Sequence, residues 1–263
     1  MTISRRMQPP TVSRFDVLFS WLAFPAYVWQ GLGVRRRSTR FAPPPAKPWI
    51  ESNGPDSGNP VKVLIIGDSS AAGVGVLTTG ESLGGQLPGL LAEKLDRPVA
   101  VRISGNNSAT AGQIRDYVVP HLAREDYDYI CLNIGTNDAK NFHTGRRFCK
   151  EFGTLLYALK AKWPSATIIW AGVLDMASVP ALPVLLGRIL GIRSRIIDRN
   201  GKILCRERGA LAPVSEWQPV AENFAVDGFH ASARGYREWA EGLADYIAQL
   251  EAGSADPDPS PGG

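Results

Sequence analysis

The chain has 263 residues, 44% hydrophobic and 21% charged, the proportions of an ordinary globular protein with one domain and extensions. The net charge of +4 is uneven: residues 1–50 carry eight Arg or Lys against Asp16 alone, giving +7, and the remainder carries −3. A basic leader on a mildly acidic body argues against a nucleic-acid-binding domain and for attraction to an anionic surface. Three cysteines (Cys131, Cys149, Cys205), odd in number and without metal-like spacing, indicate a reduced interior with no disulfide framework.

The first segment to stand out is Phe15 to Gly33, nineteen residues that are apolar on every side and end against Arg35-Arg36-Arg37. That length barely spans a bilayer, and Asp16, Pro25 and Gln30 interrupt it. No small-residue cleavage site precedes the arginines, which argues against a removable signal peptide. Three readings stay open: an interfacial or re-entrant membrane segment anchored by Trp21, Trp29 and the arginines, which is favoured; a spanning helix; or a helix covering an apolar patch of the body. Residues 1–40 form this leader, and residues 41–60, rich in Pro, Gly, Ser and Asn, read as a linker.

Val61 to Ile66 is an apolar, largely β-branched run that enters Gly67-Asp68-Ser69-Ser70, so a buried strand is predicted to end in a tight turn at the carboxyl edge of a sheet. No G-x-G-x-x-G and no G-K-[ST] follows, which excludes dinucleotide and P-loop templates. Further strands are predicted at Val99–Ile103, Tyr127–Ile134 and Ala166–Val173, with a weak fifth near Leu211–Val214. Helices are predicted at Ser82–Leu95, Ala109–Arg124, Arg147–Trp163, Arg193–Arg208 and Ser232–Leu250. Strands alternating with helices imply right-handed crossovers and a parallel sheet covered on both faces. Residues 253–263 read as a disordered tail.

Each strand end carries polar residues: Ser104-Gly105-Asn106-Asn107 after the second, Gly135-Thr136-Asn137-Asp138 after the third, and Asp227-Gly228-Phe229-His230 before the last helix. In a parallel sheet these loops share the edge that holds Ser69. Acyl transfer needs these parts: a hydroxyl, an imidazole to take its proton, a carboxylate to orient the imidazole, and donors for the oxyanion.

With these blocks in order, residues 61–252 resemble the SGNH (GDSL-type) hydrolase family through GDSS at 67–70, Gly105, GTND at 135–138 and DGFH at 227–230. The resemblance implies a flavodoxin-like three-layer α/β/α sandwich with a central parallel sheet of about five strands. It implies Ser69 as nucleophile, Asp227 and His230 as acid and base of the triad, and Ser69, Gly105 and Asn137 as oxyanion donors. One departure is Ser70, where leucine is common in the family. No cofactor or metal is expected.

Other residues compete for attention. Gly80-Glu81-Ser82-Leu83-Gly84 is a formal G-x-S-x-G but lacks the preceding strand that motif requires, so Ser82 reads as a helix start. Asp68 and Asp138 read as loop-holding carboxylates. His143, in a basic loop past Asn137, is a candidate substrate contact. Val173 to Ile192 is apolar and broken by Pro180 and Pro183, either a buried insertion or an acyl-binding wall with Leu182, Leu185, Leu186 and Ile189 as contacts.

The expected function is therefore a cofactor-independent serine esterase with a covalent acyl-enzyme, favouring lipid-like or acyl esters. The alternatives are a carbohydrate acetyl-esterase, an acyltransferase on the same site, or a membrane-attached binding protein without turnover. Expected partners are a small ester and a membrane surface met through residues 15–37, with the body on the cytoplasmic side.

Overall fold

A computed structural model describes residues 12–37, 41–45, 47, 49–52, 59–215 and 217–253. Residues 254–263 of the tail expected at 253–263, and parts of the leader and linker, lie outside the described residues. In chain order the elements are α1 (Arg14–Leu22), α2 (Phe24–Arg37), β1 (Trp49–Ser52), β2 (Val61–Gly67), α3 (Leu83–Leu95), β3 (Val99–Gly105), α4 (Ala111–Gln113), β4 (Tyr129–Asn133), α5 (Thr136–Lys140), α6 (Gly145–Lys162), β5 (Thr167–Trp170), α7 (Val184–Arg208) and α8 (Ala233–Glu251).

The five strands lie in the order β1-β3-β2-β4-β5. β2, β3, β4 and β5 pair in parallel, while β1 runs antiparallel on the edge of β3. The sheet is therefore mixed, and its fifth strand comes from the stretch expected to be a linker. The predicted fifth strand at 211–214 is reduced to a parallel bridge between Leu211 and Ile169. That bridge adds a step beyond β5, so the parallel part follows the doubly wound flavodoxin order.

The period of two along β2 divides the core. Val61, Val63 and Ile65 face Leu83, Leu87 and Leu91 of α3 and Tyr236, Ala240 and Ile247 of α8. Leu64 and Ile66 face Phe148, Phe152 and Leu155 of α6 and Ile197 of α7. Truncating Phe148 or Phe152, both fully buried, to alanine removes about 3–5 kcal/mol of stability by the usual cavity cost.

Helix boundaries differ from expectation at two places. The predicted helix 109–124 is broken into α4, a π turn at Ile114–Val118 and a 3-10 turn at Val119–His121, where Pro120 has no amide proton to give. α7 runs for 25 residues and starts at Val184 behind Pro183, so the apolar insertion is half helix; Gly209, at φ +63°, ends it.

The leader packs on the body. Ser13 and Asp16 form a reciprocal capping box that starts α1. Pro25 cannot continue α1, and α2 departs at 62°. Phe19, Ala23, Tyr27 and Val34 join a third apolar cluster with Met176, Val179, Leu186 and Phe142. Phe142 holds a left-handed φ of +54° and is ringed by Trp21, Phe24 and Tyr27 at 5.7, 5.1 and 4.4 Å between ring centres. Of the three readings for 15–33, the described contacts thus realise the helix over an apolar patch, now as a bent pair. The outer face of that pair stays open: Phe15 is 83% exposed and Trp29 76%. Among the described residues no single helix is long and apolar enough to cross a membrane.

Candidate active site

The register of the sheet assembles the site. At the carboxyl end of β2, Gly67 sits opposite Gly105 of β3 on one side and Asn133 of β4 on the other. A side chain at Gly67 would meet the Asn133 carbonyl oxygen at 1.9 Å, and one at Gly105 would meet the Ala72 amide nitrogen at 2.1 Å. Both positions need glycine because the turn carrying Ser69 lies directly on the ends of its neighbours. The turn is then stitched down: Asp68 N–H donates to Asn133 O (2.9 Å), Asn106 N–H to Gly67 O (2.8 Å) and Val74 N–H to Ser69 O (2.9 Å).

Asp68 is buried and acts as the turn's hub. Its Oδ1 accepts from the Ser70 amide (3.0 Å) and hydroxyl (2.8 Å), and its Oδ2 accepts from Asn137 Nδ2 (3.3 Å). Ser70, the departure from the family pattern, is therefore employed as a second donor to Asp68. Burial pushes the Asp68 carboxyl above its ordinary pKa, with the hydrogen bonds from Ser70 opposing that shift. Asn137 also donates to Ala109 O at 3.0 Å, which fixes its amide between the Gly105 loop and the Ser69 turn.

Asp227 and His230 form a tight pair. His230 Nδ1 lies 2.6 Å from Asp227 Oδ2, while Asp227 Oδ1 accepts from the backbone N–H of Phe229 (2.9 Å) and of His230 (3.0 Å). Burial would raise the Asp227 pKa; the hydrogen bonds from the His230 ring and the two amides outweigh it and hold the carboxyl below the usual range. Asp227 therefore stays ionised across the pH range in which an imidazole titrates. Gly228, at φ +64°, turns the loop, and Ala181 N–H donates to its carbonyl (3.1 Å). This loop lies on the serine turn, since a side chain at Gly75 would meet His230 Cβ at 2.9 Å. The buried Tyr236 hydroxyl, which sequence reasoning missed, donates to Val74 O (2.8 Å) and ties the serine turn to α8. A tyrosine inside an amphipathic helix carries no signal for that contact.

Ser69 makes no side-chain hydrogen bond among the described residues. It stands at the same sheet edge as Gly105, Asn137, Asp227 and His230. His143 goes elsewhere: it is 5% exposed, with Nδ1 3.0 Å from Asp138 Oδ1 and 3.5 Å from Glu151 Oε2. The expectation of a substrate contact gives way to a buried polar knot beneath the loop, in which Asp138 Oδ2 also accepts from Ala111 N–H (3.1 Å). Ligand atoms of Asp138, His143 and Glu151 lie within 4.8 Å of one another; Arg147 Nε donates to Glu151 Oε1 (2.8 Å), while the buried Glu151 Oε2 has no hydrogen-bond partner among the described residues. Of the proposed acyl contacts, Leu186 and Ile189 are buried in the third cluster, Leu182 packs on its margin, and Leu185 is exposed.

Known proteins place this geometry. The GDSL-like lipase/acylhydrolase family matches residues 65–238. A psychrotrophic esterase from Pseudoalteromonas sp. superposes with a TM-score of 0.57 at 14% identity, over 73% of this chain and 99% of that one. A lipase/acylhydrolase from Enterococcus faecalis gives 0.50 at 18% identity, over 76% and 99%. A carbohydrate esterase family 2 enzyme with a carbohydrate binding domain from Corynascus thermopiles gives 0.54 at 14% identity, over 77% and 68%. The search of curated proteins returned no match. The matched residues take in the serine turn, both polar strand ends and the Asp-His loop, and the chain belongs to the GDSL-like lipase/acylhydrolase family of ester hydrolases.

Proposed function

We propose that this chain hydrolyses carboxylic esters through a covalent acyl-enzyme, with Ser69 as nucleophile, His230 as general base and then general acid, and Asp227 orienting the imidazole. The observation that carries this reading is the 2.6 Å Asp227–His230 pair on a loop packed against the turn that bears Ser69. With Nδ1 facing Asp227, the imidazole's Nε2 is left to take the serine proton and return it to the leaving alcohol. The backbone N–H groups of Ser69 and Gly105 and the Asn137 amide receive the developing oxyanion. Asn137 must trade its long 3.3 Å contact with Asp68 for that role. A fluorophosphonate probe should label the protein and not Ser69→Ala, and the same substitution should abolish turnover of a chromogenic short-chain ester. Labelling of the variant would remove Ser69 from the mechanism.

Lipid-like esters are the favoured substrates, and the outer face of the leader favours attachment of residues 61–252 to the inner face of the cytoplasmic membrane. Phe15, Leu22 and Trp29 are exposed, and Arg35, Arg36 and Arg37 form the last turn of α2. Exposed apolar surface flanked by cations suits an anionic interface, each arginine adding about 1 kcal/mol. The intact protein should sediment with anionic vesicles, and replacing Phe15, Leu22 and Trp29 with serine should release it. Sedimentation unchanged by the triple substitution would sink the membrane reading while leaving the esterase untouched.

A further inference from the structure

Lys140 is the last residue of α5, one helical turn beyond Asn137, and it is half-buried. Residues three apart on a helix are neighbours on one face. Its Nζ lies 4.8 Å from the centre of the Phe229 ring, and that ring lies 5.2 Å from the ring of His230. The ammonium thus sits between the residues proposed to hold the oxyanion and the residue proposed to move the proton.

Nothing described in the fold satisfies it. An ammonium has three donors and no acceptor, and no hydrogen bond or ion pair reaches Lys140 Nζ among the described residues. Asp68, whose charge acts on Lys140, has its oxygens committed to Ser70 and Asn137. Lys160 and Lys162 behave differently, with their ammonium groups on backbone carbonyls at 3.1 Å (Ala166) and 2.6 Å (Val119). Burial lowers the pKa of Lys140, and the charge of Asp68 offsets part of that. A ring face is weak compensation for a cation that has lost part of its water.

We propose that Lys140 is a specificity-determining residue that receives an anionic group of the substrate, a phosphate or a carboxylate a few bonds from the scissile carbonyl. The choice of an ester as the molecule bearing that group rests on the esterase reading above. The charge fixes the substrate's orientation, so that the carbonyl oxygen meets Asn137 while the leaving oxygen faces His230. A neutral ester has no group to offer Lys140 and leaves its donors unused.

Two matched pairs of ligands separate the sources of the anion. One pair is 4-nitrophenyl hemisuccinate and 4-nitrophenyl butyrate; the other is dihexanoyl glycerophosphate and dihexanoylglycerol. Their binding is measured by calorimetry on Ser69→Ala, Ser69→Ala/Lys140→Met and Ser69→Ala/Lys140→Arg, and their hydrolysis on the corresponding proteins with Ser69 intact. At least one charged member should bind about ten-fold tighter than its neutral mate. That preference should vanish with methionine and survive with arginine. Preference in the phosphate pair alone identifies a lipid-type substrate, and preference in the carboxylate pair alone identifies a small acid ester. Equal ratios of charged to neutral affinity with lysine and methionine overturn the proposal. Lysine-dependent binding without hydrolysis of any ester overturns the esterase reading and leaves the anion site standing.

Discussion

The chain holds two Asp–His pairs that look alike in outline and differ in everything around them. In one, His230 lies 2.6 Å from Asp227 and is 22% exposed at the crevice; in the other, His143 lies 3.0 Å from Asp138 and is 5% exposed. The first carboxylate accepts two amide N–H groups from its own loop, which point the imidazole outward. The second accepts the N–H of Ala111 from a different element, and Glu151 Oε2 stands 3.5 Å from the same Nδ1, with the whole ring buried. An imidazole beside a carboxylate becomes a general base only where its second nitrogen is free to meet a substrate. Where the whole ring is buried, the pair is a brace.

Truncating each histidine should separate these roles. His230→Ala should lower kcat on a short ester by about a million-fold, the scale seen when a triad base is lost, with the melting temperature near the parent's. A small loss measured by steady-state kinetics would reduce the outward pair to the rank of the inward one. Asn137→Ala sharpens the contrast next: kcat should fall about 100- to 1,000-fold with KM little changed, because its amide acts on the oxyanion and not on the ground-state ester. A change confined to KM would make Asn137 a binding residue. His143→Ala should give the smallest catalytic effect and the clearest structural one. Leaving the buried Asp138 without its ring partner should cost about 1–3 kcal/mol in denaturant unfolding while the folded fraction keeps its kcat.

The same contrast explains what the sequence discloses. The placement of Ser69, Gly105, Asn137, Asp227 and His230 on one edge is legible because each lies near the end of an apolar strand or the start of a helix. The burial of His143 is not legible, because a basic, loop-like context says nothing about Glu151 on the helix that follows. β1 escaped notice for a related reason. Its four residues, Trp49 to Ser52, have no usable period, and their strand state comes from pairing with Val99 to Arg102 far along the chain. The leader was ambiguous because a segment that is apolar all round does not say which side is covered. The body answers that with Phe142, whose left-handed backbone pushes its ring into the leader's aromatic residues. In the sequence Lys140 is one more basic residue, since only the positions of Phe229 and Asp68 make its ammonium conspicuous.

The Tyr27 hydroxyl of α2 donates a hydrogen bond to the carbonyl of Lys140. The leader and the candidate site therefore share one residue, held from behind by its backbone while its ammonium lies over the Phe229 ring. Linkage is reciprocal: a ligand that binds more tightly when the leader is seated must hold the leader in its seat by the same factor. A surface that draws the leader outward would loosen Lys140, and an anion held by Lys140 would resist that pull. If the leader meets an interface and Lys140 holds an anion, residence at that interface and occupancy of the crevice become two readings of a single equilibrium, joined at the Tyr27 hydrogen bond.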